Sequence, residues 1–266
     1  MLSTLRATIT GTFDLNGNHG FVRASDGTFI TFDVPGAGTG PFHGTYAWSI
    51  NPAETITGLY VDASGLVHGY VRARDGVITT FNVPGASGTA GLNINPAGVI
   101  AGEYFDASNV THGFVRASNG AITTFDVPGA GTGLFQGTVV SGINPAGAIA
   151  GEYLDASNVW HSYLRAANGA IITFDVPGAG KGSGQGTLGQ AINPVGTIPG
   201  NYIDASNANH GFLRDKHGGL TTFDAPGAGT GIGQGTFPSV NNPAGAIVGS
   251  FIDASNAFHG FLLEGE

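Results

Sequence analysis

One recurring phrase constrains this chain more than any other feature: an Ile-Asn-Pro-Ala-Gly turn, a Gly-x-Tyr-x-Asp segment, His-Gly-Phe-x-Arg, then Thr-Thr-Phe-Asp-x-Pro-Gly-Ala. With the histidine as ruler, copies fall at His19, His68, His112, His161, His210 and His259, spaced by 49, 44, 49, 49 and 49 residues. A fixed period of this length marks a repeat architecture and suits a four-stranded propeller blade, whose repeats run to roughly 40–50 residues. The 47 Gly, 13 Pro and 10% charged residues fit tight turns and short strands and leave little to build surface helices. The expected fold is all-β: a β-propeller of four-stranded antiparallel blades, one domain over residues 1–266 because the repeat runs end to end.

The copy around His161 serves as template. A first strand from Thr138 to Ile143 ends at Asn144-Pro145-Ala146-Gly147, where Pro fixes φ and Gly accepts a positive one. A second, Ala148 to Asp155, turns through Asp155-Ala156-Ser157-Asn158, and a third, His161 to Arg165, leads through Asn168-Gly169 into a fourth, Ala170 to Val176. The glycine-rich stretch from Pro177 is too long for a hairpin and reads as the crossing to the next blade. The second and third strands occur six times and the first and fourth five times. Six blades with incomplete terminal ones follow, with residues 1–6 pairing against the last blade; the alternative is a five-bladed ring closed by Val240, which leaves a spare hairpin at 246–263.

A net charge of -9, with nine Lys and Arg spread about one per repeat, excludes nucleic-acid binding by phosphate neutralisation. No Cys is present, so disulfides and thiolate metal sites are excluded. No run approaches the ~20 apolar residues of a membrane span, so no membrane partner is expected, and the start shows no secretory signal peptide.

The meander gathers an Asp, a His and a second Asp on one rim of every copy: Asp62, His68 and Asn82; Asp106, His112 and Asp126; Asp155, His161 and Asp175; Asp204, His210 and Asp224. Pairing Arg165 with Ala170 sets His161 opposite Phe174, one residue from Asp175. Such a cluster is either a metal site, calcium included, or a hydrogen-bonded clamp between strands. A group present in every copy serves what every copy needs, and Asn82 replaces a carboxylate in a hydrogen bond more easily than around a cation, so the clamp is preferred and no cofactor is expected. Arg23, Arg72, Arg116, Arg165 and Arg214 recur as hairpin-end contacts on the opposite rim.

Positions that differ between copies carry the functional candidates. His43, Gln136, Gln185 and Gln234 begin the first strands, a segment deleted near Gly91, and would line a polar axial mouth. Glu103 and Glu152 on second strands are the nearest approach to an acid/base pair for glycoside hydrolysis, though no third group is spelled beside them. Trp160, just before His161, offers an aromatic face on the loop rim; Trp48, inside a first strand, is expected to pack. The loop Gly36-Ala37-Gly38-Thr39-Gly40 opens no helix and supplies no P-loop Lys, so it is not a phosphate site.

Ile-Asn-x-x-Gly-x-Ile-x-Gly, an Asp, His-Gly-Phe and a closing Gly resemble the HAF-type repeats of bacterial proteins over nearly the whole chain, with Gly after His where that family has Ala and Arg where it often has Trp. The resemblance implies a repeat fold outside the cytoplasm, extracellular or periplasmic, and no reaction. The leading expectation is a non-catalytic, lectin-like module whose rim binds a glycan or other repeated ligand at several equivalent sites, through Trp160, His43, Gln136, Gln185 and Gln234. The alternatives are a polysaccharide lyase or glycosidase using His43, Glu103 or Glu152, and a structural protein that forms homo-oligomers through its terminal blades.

Overall fold

The computed structural model describes residues 8–265, and among these every regular element is a β-strand. The first copy supplies β1 (Ile9–Asp14), β2 (Asn18–Arg23) and β3 (Phe29–Phe32). Four complete sets follow. They are β4 (Gly44–Ile50), β5 (Ile56–Val61), β6 (Val67–Arg72) and β7 (Ile78–Phe81); β8 (Gly88–Ile94), β9 (Ile100–Phe105), β10 (Thr111–Arg116) and β11 (Ile122–Phe125); β12 (Gly137–Ile143), β13 (Ile149–Leu154), β14 (Trp160–Arg165) and β15 (Ile171–Phe174); β16 (Gly186–Gly189), β17 (Ile198–Ile203), β18 (Asn209–Arg214) and β19 (Leu220–Phe223). The last copy gives β20 (Gly235–Asn241), β21 (Ile247–Ile252) and β22 (Phe258–Leu263). Residues 1–6, expected to pair with the last copy, lie outside the described residues.

The structure forms two compact units, one up to Thr124 and one from Phe125, the boundary lying inside β11. In the first unit the order β1-β2-β4-β5-β6-β7 carries β3 beside β2, and β8-β9-β10 is a separate run. In the second, β12-β13-β14-β16-β17-β18-β20-β21-β22 carries β15 beside β14 and β19 beside β18. Each set is an antiparallel meander. Three junctions between sets are made by one parallel rung each, Asn18↔Gly44, Trp160↔Gly186 and Asn209↔Gly235.

Local chemistry closes each turn. The Asn144 carboxamide oxygen accepts the Ala148 N–H at 3.0 Å, with Gly147 at φ +84°. The Asp155 carboxylate accepts the N–H groups of Ser157 and Val159, both at 2.8 Å, and Asn158 takes the left-handed conformation that Asn tolerates. The third-to-fourth hairpin is longer than a two-residue turn, with the Ala166 N–H donating to Ala170 and the Gly169 N–H to Ala166. Arg165 therefore faces Ile171, and Ser162 faces Phe174. This corrects the sequence-based register by one residue and brings Asp175 directly opposite His161.

First strands carry a bulge after their fourth residue, and the residue bulged out in β4 is Trp48. Trp48 is 47% exposed, its ring edge-on to Tyr46, where packing was expected. β16 stops after four residues where its counterparts run to seven. By the register of β12 the residue facing its missing half is Pro199, which has no N–H to give the ladder.

A buried Thr at the start of each first strand ties it to the preceding fourth strand. The hydroxyls of Thr45, Thr138, Thr187 and Thr236 accept the N–H of Val34, Val127, Val176 and Ala225 at 2.9 to 3.0 Å. Thr89 does the same for Val83 across a connection five residues shorter, where Ser87 donates to the carbonyls of Phe105 and Asp106. The core is a ladder of aromatic pairs between successive meanders: Phe32 on Tyr70, Phe81 on Phe114, Phe125 on Tyr163 and Phe174 on Phe212, all edge-to-face. Arg72, Arg116, Arg165 and Arg214 lie over the same four phenylalanine rings at 4.8 to 5.0 Å. The recurring arginines are thus stacked between repeats.

Candidate binding cleft on the loop rim

Every third strand places its His beside an aromatic of the second strand, a direct cross-strand pair such as Tyr153↔His161. The rings stack with centroids 4.9 Å apart for Tyr60–His68, Tyr153–His161 and Tyr202–His210, and 4.8 Å for Tyr104–His112. With its face covered, the imidazole turns its nitrogens to neighbours in the rim. His161 Nδ1 lies 2.9 Å from both oxygens of Asp175 and Nε2 lies 3.6 Å from Asp155. A carboxylate only accepts, so Nδ1 donates to Asp175. His210 repeats this with Asp224 at 3.0 Å and Asp204 at 3.5 Å. His68 meets the Asn82 carboxamide oxygen at 3.0 Å and Asp62 at 3.2 Å. His112 reaches Asp106 at 3.7 Å; Asp126 belongs to the second unit. Among the described residues no three His, Asp or Glu side chains converge to hold a metal ion.

The first Asp of each set is held ionised. Hydrogen bonds from the Ser64 hydroxyl first, then from the Leu66 N–H, hold the Asp62 carboxyl well below the usual carboxylate range. At Asp155 burial pushes the other way, but the N–H groups of Val159 and Ser157 with His161 outweigh it and the shift is downward.

Gln136, Gln185 and Gln234 are engaged within the rim. Gln185 accepts the Gly182 N–H at 2.9 Å and donates to Asn207 at 2.9 Å and to the Ala205 carbonyl at 3.3 Å. Gln136 and Gln234 accept from Gly133 and Gly231 and donate to Asn158 and Asn256 in the same way. Each amide staples a loop to the following Asp-Ala-Ser-Asn turn. His43, in the same position, instead sets Nδ1 2.9 Å from the Pro41 carbonyl. Glu103 lies on β9 in the first unit and Glu152 on β13 in the second, where it accepts from the Ser141 hydroxyl at 2.6 Å.

One copy departs from this uniformity. A cleft of ≈ 630 Å³ opens in the β12–β15 repeat, with Asp155, Ser157, Trp160, His161, Asp175 and Lys181 in its wall. Trp160 is half-buried. Two other copies have Asn at this position, and there the side chain spans to the next loop: Asn209 donates to the Gln234 carbonyl and Asn18 to the His43 carbonyl, both at 3.2 Å. In the copy carrying β14 an indole stands in place of that tie.

Sequence reasoning singled out Phe42 and Phe135 as apolar loop residues but missed their left-handed backbone, and it missed the threonine ties. The buried threonines were legible only as a Gly-Thr pair opening each first strand. Phe42 and Phe135 stand at φ +63° and +60° with strongly exposed rings, where the fourth and fifth crossings have Gly184 and Gly233, also at positive φ. An aromatic in a column of turn glycines was the available signal.

The fold these meanders define is all-β and propeller-like. No family model and no curated protein matches the chain. Among solved structures, the β-propeller domain of the Trilobed protease from Pyrococcus furiosus, described as having an open velcro topology, matches with a TM-score of 0.52 at 11% identity over 97% of this chain and 91% of that one. Puromycin hydrolase matches with a TM-score of 0.51 at 10% identity over 97% of this chain; the chain spans 50% of that protein's length. AofleA from Arthrobotrys oligospora matches with a TM-score of 0.50 at 10% identity, covering 98% and 84% of the two chains. The solved structures this chain resembles include a protease propeller and a hydrolase, which stands against the lectin-like expectation. Physically, several equivalent glycan sites need rim groups free in every copy, whereas the Gln amides are engaged in the rim itself.

Proposed function

We propose that the chain is a propeller of six repeats built on four-stranded blades, the first and last incomplete among the described residues, and that it serves as the peptide-holding propeller of a hydrolase. The observation that carries this reading is the cleft beside Trp160. An indole face and two carboxylates, Asp155 and Asp175, line one wall, the chemistry that receives a cationic side chain of an extended peptide. Lys181 at its margin meets a neighbouring acidic group. The net charge of -9 steers basic peptides toward the surface. The likeness to the propeller domain of a protease supports a partner that cleaves peptide bonds.

Trp160 reports its own occupancy. In a Trp48→Phe background, a lysine-containing peptide is expected to change the Trp160 emission saturably, with binding weakened about tenfold when the peptide lysine is replaced by norleucine, as expected for the loss of a hydrogen bond to a charged group. Asp175→Asn is expected to weaken binding while leaving the melting temperature nearly unchanged. An emission indifferent to millimolar peptide sinks the proposal.

A further inference from the structure

The cleft in the β12–β15 repeat gathers the places where this copy departs from the others. Trp160 stands where two copies have Asn18 and Asn209, and Lys181 stands where the same crossing elsewhere has Thr39, Thr132 and Thr230. Both line the cleft together with Asp155 and Asp175. Lys181 is exposed, and among the described residues its ammonium makes no hydrogen bond and no ion pair, with these carboxylates or with any other group. Ser157 is a second free donor. At the same turn position the hydroxyls of Ser64, Ser206 and Ser255 donate to their own Asp at 2.6, 2.8 and 2.7 Å, whereas that of Ser157, like that of Ser108, makes no hydrogen bond among the described residues. The turn after β13 and the crossing after β15 are stitched together at one end: the Gly184 N–H donates to the Asn158 carbonyl at 2.7 Å and the Trp160 N–H to the Gln185 carbonyl at 2.8 Å. A chain entering from solvent stops at this stitch, and ≈ 630 Å³ is the volume of a small-ligand pocket rather than of a groove for a long segment.

We infer, resting on the peptide-holding reading above, that the cleft takes the C-terminal residue of a peptide ending in a basic amino acid with its carboxylate free. The cationic side chain lies along the Trp160 indole toward Asp155 and Asp175, whose oxygens keep lone pairs to accept after their bonds to His161 and the turn N–H groups. The terminal carboxylate is the charge that an internal residue lacks. It goes to the Lys181 ammonium in a charge-assisted hydrogen bond, with the Ser157 hydroxyl as a further donor. An internal lysine would leave Lys181 facing a neutral amide, and a terminal residue without a cation would leave both carboxylates unmatched. Endoproteolysis after a basic residue is the class of reaction that supplies such ends.

The test is a fluorescence titration of the whole chain carrying Trp48→Phe, with the peptide acetyl-Gly-Gly-Lys as its free acid and as its C-terminal amide. The free acid is expected to bind at least about tenfold more tightly, as expected for one hydrogen bond between charged groups. Lys181→Thr restores the loop sequence of the other copies and is expected to abolish that difference with the melting temperature unchanged. Equal affinity for acid and amide overturns the inference and leaves the peptide-holding reading standing. So does a preference for the acid that survives Lys181→Thr, or a Lys181→Thr chain that loses affinity for both peptides alike. An emission indifferent to both peptides at millimolar concentration overturns the inference and that reading together.

Discussion

β18 and β22 read almost alike, Asn-His-Gly-Phe-Leu-Arg and Phe-His-Gly-Phe-Leu-Leu, yet the first is mostly buried and the second mostly exposed. Phe212 has no exposed surface; Phe261, its counterpart, is half-covered, lying against Phe223 and over Gly249. A repeat strand therefore owes its burial to the copies on either side rather than to its own side chains, the behaviour of a one-dimensional stack in which interface terms dominate.

The sharpest way to break this comparison is to truncate the same side chain twice. Phe212→Ala is expected to cost about 3–5 kcal/mol by chemical denaturation and Phe261→Ala less than about 1.5 kcal/mol, because a site open on one side leaves little cavity. Equal losses would show that intrinsic strand stability, not neighbours, holds the fold. Next in size, Thr187→Val is expected to cost about 1–3 kcal/mol, since it strands the buried Val176 N–H while keeping side-chain volume.

Acid sharpens the comparison further. The carboxyls of Asp106, Asp155 and Asp204 titrate below their ordinary value of 3.8 in the folded chain, so their contribution is complete above 3.8 and is lost as pH falls through the lower folded values. Denaturation measured across that window is expected to show Asp155→Asn flattening the acid slope. His19 has the opposite sign: its hydrogen bond to Asp33, then that to the Leu15 carbonyl, raises its pKa above 6.5. Its contribution is present below 6.5 and is lost as pH rises through the folded value, an effect to be read as a raised His19 midpoint in an NMR titration. The smallest change is Arg214→Leu, expected within about 1 kcal/mol in the same denaturation experiment. Leu263 already occupies that position in the last copy.

Much of this was legible because the repeat averages over its own noise. The four-strand meander, the Asn-Pro and Asp-Ala-Ser-Asn turns and the meeting of His with Asp all follow from spacing and turn chemistry. The register missed by one because the turn before Ala170 is wider than Asn-Gly alone suggests. Trp48 was read as packed because alternation says nothing of a bulge, which turns one residue out of step. The Gln residues were read as a mouth because their partners, loop N–H groups and left-handed Asn residues, have no sequence signature. The cleft was visible only as Trp160, a departure from a repeated Asn whose tie to the next loop appears only in three dimensions.

The shortened connection before β8 shows what the crossings between meanders are worth. Thr89 still accepts the Val83 N–H at 3.0 Å although five residues have gone, and Ser87 takes over the contact to the next turn. Strand register is thus insulated from crossing length by a single hydroxyl at the crossing's end. These segments are natural grafting points: a foreign epitope or recognition peptide spliced ahead of the Gly-Thr pair would be displayed on a frame that does not register its arrival.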